Sequence, residues 1–395
     1  SNSMTVRVSK PEFNLREKIT ELDKPVGVKG FELMKSDTSQ EVRGFIGTNS
    51  GRKNLLINGD MRIDQRSNGA LTTPSGTGYT SVDRWKAVIN PGSKFSMKQN
   101  SDGTVPGFPY YLRLTVTNPI TSMGSSQYQL LWQTIESLNM FDRTGFGYGA
   151  DAKDLTLSFW VRSSVAGPFS GAMENYVQNR AFVWEVEIEH ENTWEHKTVH
   201  IPGCTDGGWE VGDYNKGNYL MFSLGTTING AANIGWVNGQ QLGSNTDIRR
   251  IGIDGATLDL TGVQLELGKV ATEFEHRPYG EELQLCMRYY QKVYNAQLIG
   301  TMNTSSRMRI MTNFPVPLRG TSGTYSRTSN NLSFQKAASN VTSSNTSEAQ
   351  GGSVAHDGRN TYARTWDFGG FTPSLADRTF IGGNGGHVFN MDVEL

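Results

Sequence analysis

Residues able to do chemistry are scattered along the 395-residue chain rather than gathered. His190, His196 and His200 come nearest to a metal-ligand spacing. On a strand, Trp194, His196, Thr198 and His200 share one face, so two imidazoles could approach one ion, whereas a zinc site takes three or four ligands. They read as partly exposed strand histidines. Glu185, Glu187, Glu189 and Glu191 invite comparison with glycosidases, whose two carboxylates flank the scissile bond. Alternate strand residues project the same way, so this row reads instead as a solvated sheet face or edge, where like charge discourages edge pairing. There is no G-x-S-x-G elbow and no phosphate-binding loop. The chain is therefore expected not to be an enzyme. Cys204 and Cys286, the only two cysteines, read as free, buried thiols.

Binding chemistry is better supplied. A glycan site needs aromatic platforms edged by polar groups, and Trp132, Trp160, Trp194, Trp209, Tyr214 and Trp236 are the raw material. Trp209 and Tyr214 fall in the Gly-rich stretch 207–217, which favours exposure. Trp160 alternates out of phase with Leu155, Leu157, Phe159 and Val161, which puts it on the opposite face of its strand. Near the C-terminus, His356, Asp357, Arg359, Tyr362, Arg364, Trp366 and Asp367 form a polar and aromatic cluster in a loop-rich region, where binding residues concentrate. Trp209, Tyr214, His356, Arg359, Tyr362 and Trp366 are the candidate glycan-binding residues.

The elements that would position them are mostly strands. Clean alternation marks Leu155–Arg162 and Ala181–His190. In the second, Phe182, Trp184, Val186 and Ile188 oppose Glu185, Glu187 and Glu189. Trp194–Ile201 could return antiparallel to it. Asn54–Asp60, Tyr110–Val116, Tyr219–Leu224, Ile248–Ile253 and Leu258–Leu267 read as further short strands between Gly and Asn turns. Gln129–Asn139 suits either a short helix or a strand. Three regions follow: 1–50, a short helical arm; 51–280, a β-sandwich or jelly roll; 281–395, a helix over 281–293 and then a smaller β-domain. That last region has strands at Met308–Phe314, Ser333–Lys336, Tyr362–Phe368 and His387–Val393, with a loop or edge hairpin over 337–352. The fold class expected is mainly β. In the arm, Phe13, Leu15, Ile19 and Leu22 are too sparse to form a core and need a partner, either the chain's own body or another subunit.

Composition agrees. With 45 Gly and only 19% charged residues, the chain suits a turn-rich β protein, and 10% aromatic residues can build a core. A net charge of −1 argues against nucleic acid as the main partner. No apolar run approaches a membrane span, so no insertion is expected. Met4 reads as the native start, Ser1–Ser3 as a cloning remnant, and no secretory signal follows.

Three motifs carry a resemblance. They are Val8–Lys18 with Glu21-Leu22-Asp23; Gly51-Arg52-Lys53-Asn54-Leu55-Leu56-Ile57-Asn58-Gly59-Asp60 with Gln65-Arg66; and Gln264–Gly268, Ala271–Glu282 and Cys286–Tyr290. Together they resemble tail-fibre-like or virion-surface proteins of marine tailed bacteriophages, with a jelly roll like that of carbohydrate-binding modules. The resemblance implies a fibre- or spike-like virion subunit, assembled as a homotrimer and docked to other virion proteins through the arm. It would serve attachment to host-surface glycan. A capsid-decorating or head-fibre protein without a receptor role would use the same parts, and a glycan-degrading enzyme is the third reading. No cofactor is implied. Jelly rolls of this type often hold a structural calcium, for which Asp60, Asp247, Asp254 and Asp259 are candidates by residue type alone.

Overall fold

The structure, a computed structural model, describes residues 52–92, 94–209, 216–229, 234–294, 298–302, 307–319, 324–327, 332–336, 339–343, 346–347, 361–368, 379–382 and 388–392. Two compact units divide the chain, Ser1–Arg52 and Lys53–Leu395. The expected arm helices, with Phe13, Leu15, Ile19 and Leu22, lie outside the described residues.

Eleven strands pack as two antiparallel sheets. Sheet A has the order β1 (Lys86–Asn90), β4 (Tyr128–Glu136), β9 (Lys216–Thr226), β6 (Gly167–Asn175), β7 (Arg180–Ile188), β10 (Gly235–Asn238). Sheet B has the order β2 (Phe95–Asn100), β3 (Tyr111–Val116), β11 (Thr257–Leu267), β5 (Leu155–Ser163), β8 (Glu195–Ile201). The core lies between them, and alternation decides which side chains enter it. Leu155, Leu157, Phe159 and Val161 of β5 meet Phe182, Trp184 and Ile188 of β7 and Leu220 and Phe222 of β9. Phe159, Trp184 and Phe222 contact one another edge-on or tilted, with centroids 5.2–5.6 Å apart. The expected mainly β sandwich is the fold observed.

Four expectations need correction. Trp194–Ile201 does form a strand, β8, but it pairs with β5 rather than returning on β7. The chain crosses between sheets over residues 189–194, so the two alternating runs end in different layers. Ile248–Ile253 is no strand; Arg250–Gly252 is a short 3-10 turn. Arg250, 1% exposed, points inward there and donates to the carbonyls of Val165, Gly167, Pro168 and Ile248. That radial demand is incompatible with a straight strand. Gln129–Asn139 is both alternatives in turn: β4 runs to Glu136 and helix α1 covers Ser137–Thr144. The helix expected over 281–293 is α2 (Tyr279–Met287), after which the chain turns into β12 (Tyr290–Tyr294).

Asn54–Asp60 also departs from a strand. Leu55 and Leu56 are both buried, and the segment pairs in no strand ladder. Side chains hold the segment instead. Asn54 Oδ1 accepts from the backbone N–H groups of Leu56 and Leu265, and its Nδ2 donates to Val263 O. Asn58 adopts a left-handed φ of 59° and its amide donates to the carbonyls of Ile63 and Asp83. Gly59 passes so close to β11 that an added Cβ would lie 2.1 Å from Val263 O. Gly59→Ala is therefore expected to destabilise the sandwich by about 2 kcal/mol, read as a lower urea midpoint. An unchanged midpoint would contradict this packing.

Beyond α2, a three-stranded sheet has the order β12, β21 (Val388–Asp392), β15 (Thr324–Arg327). A seven-stranded sheet has the order β17 (Ser339–Ser343), β16 (Leu332–Lys336), β20 (Thr379–Gly382), β13 (Leu298–Met302), β14 (Arg307–Asn313), β19 (Thr361–Phe368), β18 (Thr346–Ser347). The β16–β17 hairpin falls in the stretch 332–343, within reach of the edge hairpin expected over 337–352. No helix among the described residues is long and apolar enough to cross a membrane.

Candidate functional site: the outer face of sheet A

Register fixes which side chains leave the core and line the outer face of sheet A. One row across it reads Lys86, Trp132, Met221, Ala172, Val183. The next reads Thr134, Tyr219, Glu174, Ala181. On the other flank, Val88 lies opposite Leu130. Val88, Leu130, Tyr219, Met221 and Leu242 form an apolar cluster separate from the main core, with Tyr128 and Trp132 packed against it.

On this floor stands a run of rings and cations. Trp132 and Tyr219 are diagonal neighbours and stack nearly parallel, centroids 4.6 Å apart at 11°. Tyr176, 39% exposed, meets Tyr219 edge-on at 6.4 Å. In the other direction the Lys86 ammonium lies 5.6 Å from the Trp132 ring and 5.5 Å from that of Tyr79. Arg66 then lies 5.2 Å from the Tyr79 ring and 3.9 Å from that of Tyr290. The array thus passes from Tyr176, in the turn after β6, to Tyr290 at the start of β12.

Polar atoms are set among these rings. Trp132 Nε1, Thr134 Oγ1, Glu174 Oε1 and Gln241 Oε1 are buried and find no hydrogen-bond partner among the described residues. Such orphans are rare in folded proteins and mark where water or a ligand group completes the bonding. Burial pushes the Glu174 carboxyl up to about 8, against weaker opposing hydrogen bonds from Gln178 and the Gln241 backbone. It therefore carries a proton at neutral pH and can donate as well as accept. Burial likewise raises the Tyr219 phenol, helped by Tyr176 and Glu174. Aromatic faces beside buried donors and acceptors can hold a ring that is apolar on its faces and hydroxylated at its rim.

The residues singled out from sequence fare differently. Trp209 is not an open platform: its indole donates to Asp206 O at 2.9 Å, and its ring packs edge-on against Phe146 and Trp236. Tyr214, His356 and Arg359 lie outside the described residues. Tyr362 and Trp366 lie on β19, in register with Thr312 and Met308 of β14. Trp160 does leave the core, on sheet B, where it packs against His196 at 5.1 Å. The histidines do not converge on one another: His200 pairs with Asp154 at 2.9 Å and His190 sits 3.8 Å from Glu195. Glu187, Glu189 and Glu191 are exposed as expected, whereas Glu185 is half-buried and accepts from the hydroxyls of Ser244 and Thr246. Asp60, Asp247 and Asp259 pair with Arg62, Arg250 and the Arg113–Arg162 couple, and Asp254 is exposed. Among the described residues no group of three or more His, Cys, Asp or Glu could hold a metal ion. Cys204 and Cys286 are buried and not joined in a disulfide.

Lys86, Tyr79, Tyr176, Tyr219 and Glu174 were not legible as a site, and Trp132 was one aromatic among several. One signal was present. Tyr219 alternates out of phase with Leu220, Phe222 and Leu224, just as Trp160 does with its own neighbours.

No protein-family model matches the chain, and no curated protein matches it. Solved structures do. The enzymatically active domain of tailspike protein 4 from bacteriophage CBA120 is 13% identical over 54% of this chain, with a TM-score of 0.29; the match spans 21% of that chain. A family 11 carbohydrate-binding module from Clostridium thermocellum, in complex with a β-1,3-1,4-mixed-linked tetrasaccharide, is 15% identical. It covers 48% of this chain and 91% of its own, with a TM-score of 0.25. The CBM22-1 xylan-binding domain of Xyn10C from Paenibacillus barcinonensis is 11% identical, covering 51% and 97%, with a TM-score of 0.25. At such identities and TM-scores these chains say nothing of what this one binds.

Proposed function

We propose that this protein is an attachment subunit of a virion surface, whose sandwich binds host glycan on the outer face of sheet A without cleaving it. The observation that carries the binding reading is the Trp132–Tyr219 stack standing beside buried Trp132 Nε1, Thr134 Oγ1 and Glu174 Oε1, which have no hydrogen-bond partner among the described residues. Sugar rings present flat C–H faces to aromatic rings and hydroxyls to polar groups, so this arrangement suits both surfaces of a pyranose. The virion role is supported by the three sequence motifs. In this reading the chain assembles as a homotrimer and docks to other virion proteins through Phe13, Leu15, Ile19 and Leu22. Three sites on one fibre would turn weak single contacts into firm attachment.

The test is calorimetric titration of the full chain with neutral oligosaccharides from host envelopes. Trp132→Ala is expected to weaken binding ~10–100-fold, the loss of one stacked aromatic contact. Unchanged affinity in that variant, or no neutral glycan bound by the wild type, would refute the site. Light scattering tests the assembly, where the trimer predicts three times the chain's mass of 43.6 kDa.

A further inference from the structure

The outer face of sheet B carries a second set of exposed chemistry that the sheet A site does not use. Across it, register places Lys98, Arg113, Asp259 and Arg162 abreast. Asp259 is 1% exposed and accepts from Arg113 Nε at 2.7 Å, Arg113 Nη2 at 2.8 Å and Arg162 Nε at 2.8 Å. One carboxylate thus serves two guanidiniums, with the exposed Lys98 beside them. Asp102, reached by the Tyr111 hydroxyl at 3.4 Å, is the other carboxylate in contact with this group. Three cations against two carboxylates leave the row net positive.

The guanidiniums are rigidly placed. Arg162 lies 4.6 Å from the Trp194 ring and 5.1 Å from that of Tyr111, and both its Nη1 and the Trp194 indole donate to Gly103 O. The Arg113 side chain is 36% exposed, and its Nη1 has no hydrogen-bond partner among the described residues. A planar fork with one edge bound and donors left over is suited to a second oxyanion. The adjoining row supplies the platform: Trp160 lies opposite both Thr261 and His196, with its ring against the His196 imidazole. Gly262, at a φ of 59° in the β-bulge of β11, lets Phe108 and Trp160 pack directly on the backbone there: an added Cβ would stand 2.8 Å from Phe108 and 3.1 Å from Trp160. Phe274 and His276 close the aromatic group around Phe108.

We infer that the outer face of sheet B is a second saccharide site, selective for an acidic sugar whose carboxylate is taken by Arg113 and whose ring lies against Trp160. It is separate from the sheet A site, because the two faces look away from the common core. A chain with both sites would engage a mixed neutral and acidic surface polysaccharide from two sides.

The test titrates the full chain with an oligogalacturonate and with its methyl ester, which keeps the rings and removes the charge. The acid is expected to bind at least about tenfold tighter than the ester, with an affinity that falls as salt rises. Arg113→Gln should erase that preference. Trp160→Ala should weaken both ligands, while Trp132→Ala leaves the acid unaffected. Thermal melts confirm that each variant is folded. Equal binding of acid and ester, or wild-type acid affinity in both Arg113→Gln and Trp160→Ala, overturns the proposal. Acid binding lost only in Trp132→Ala also overturns it, by assigning that ligand to sheet A and leaving the first reading intact.

Discussion

Arg277→Ala should cost the fold about 3–5 kcal/mol, the loss that follows when one partner of a buried ionic network is deleted. Arg277 is 7% exposed and joins the two ends of the sandwich sequence. Its Nη2 donates to Asn54 O at 2.7 Å and its Nη1 to Leu56 O at 3.0 Å, while Nε pairs with Glu275 at 3.0 Å and Nη1 with Glu282 at 3.3 Å. The two carboxylates are themselves committed: Glu275 accepts from the backbone N–H groups of Lys53 and Asn54, and Glu282 from that of Asn58. Burial already pushes the Glu282 carboxyl up even with Arg277 beside it. Removing the guanidinium strands two carbonyls and two carboxylates together. Arg277→Lys should recover little, because a single ammonium cannot reproduce the planar fork. Urea unfolding followed by tryptophan fluorescence measures both variants. A loss below about 1 kcal/mol for Arg277→Ala would mean that the network does not hold the segment.

That network explains why the motifs were legible while their local structure was not. Asn54–Asp60 and Gln264–Glu282 stood out in sequence because their residues are needed as hydrogen-bonding parts, not because they follow a period. Asn54 bonds β11 through its side chain, and Gly59 is squeezed against Val263. A reading based on alternation could see two leucines and a turn and infer a strand. Alternation succeeded where packing alone decides: β5 and β7 came out with the right faces because each buries one side against the opposite sheet. It failed at Ile248–Ile253, where apolar ends resemble a strand but the buried Arg250 and its four carbonyl partners dictate a turn. It was also silent on pairing. Nothing in Trp194–Ile201 says that it joins β5, since the crossing between sheets is a property of the three-dimensional closure.

The sheet A face was legible only in fragments for a related reason. Trp132, Tyr219 and Glu174 come from β4, β9 and β6, which are distant in sequence and adjacent only through the strand order. Trp209, with its Gly-rich surroundings, looked exposed and is instead packed between Phe146 and Trp236. Glycine near an aromatic residue signals a turn, and turns at the end of a sandwich can fold a large ring back over the core as readily as present it to solvent.

Glu174→Gln should change how stability depends on pH, and in the direction opposite to an ordinary paired carboxylate. The group moves from 4.5 in the unfolded chain to about 8 in the fold, because burial penalises the charged form. Below pH ~4.5 the carboxyl is protonated in both states and contributes no pH dependence. Between there and pH ~8 the folded chain retains a proton that the unfolded chain has released, so the wild type loses stability as pH rises. Above that window the cost is constant, because both states are ionised. The glutamine amide resembles the protonated acid in size and cannot ionise. The variant should therefore match the wild type near pH 4 and exceed it by on the order of 5 kcal/mol at pH 8.5. Asp247, also raised by burial to about 7, adds a slope of the same sign to both proteins and cancels in the difference. Urea midpoints taken across pH 4 to 9 give the comparison. Parallel profiles for the two proteins would show that Glu174 is ionised in the fold at neutral pH, and a protonated floor beneath the Trp132–Tyr219 stack would have to be abandoned.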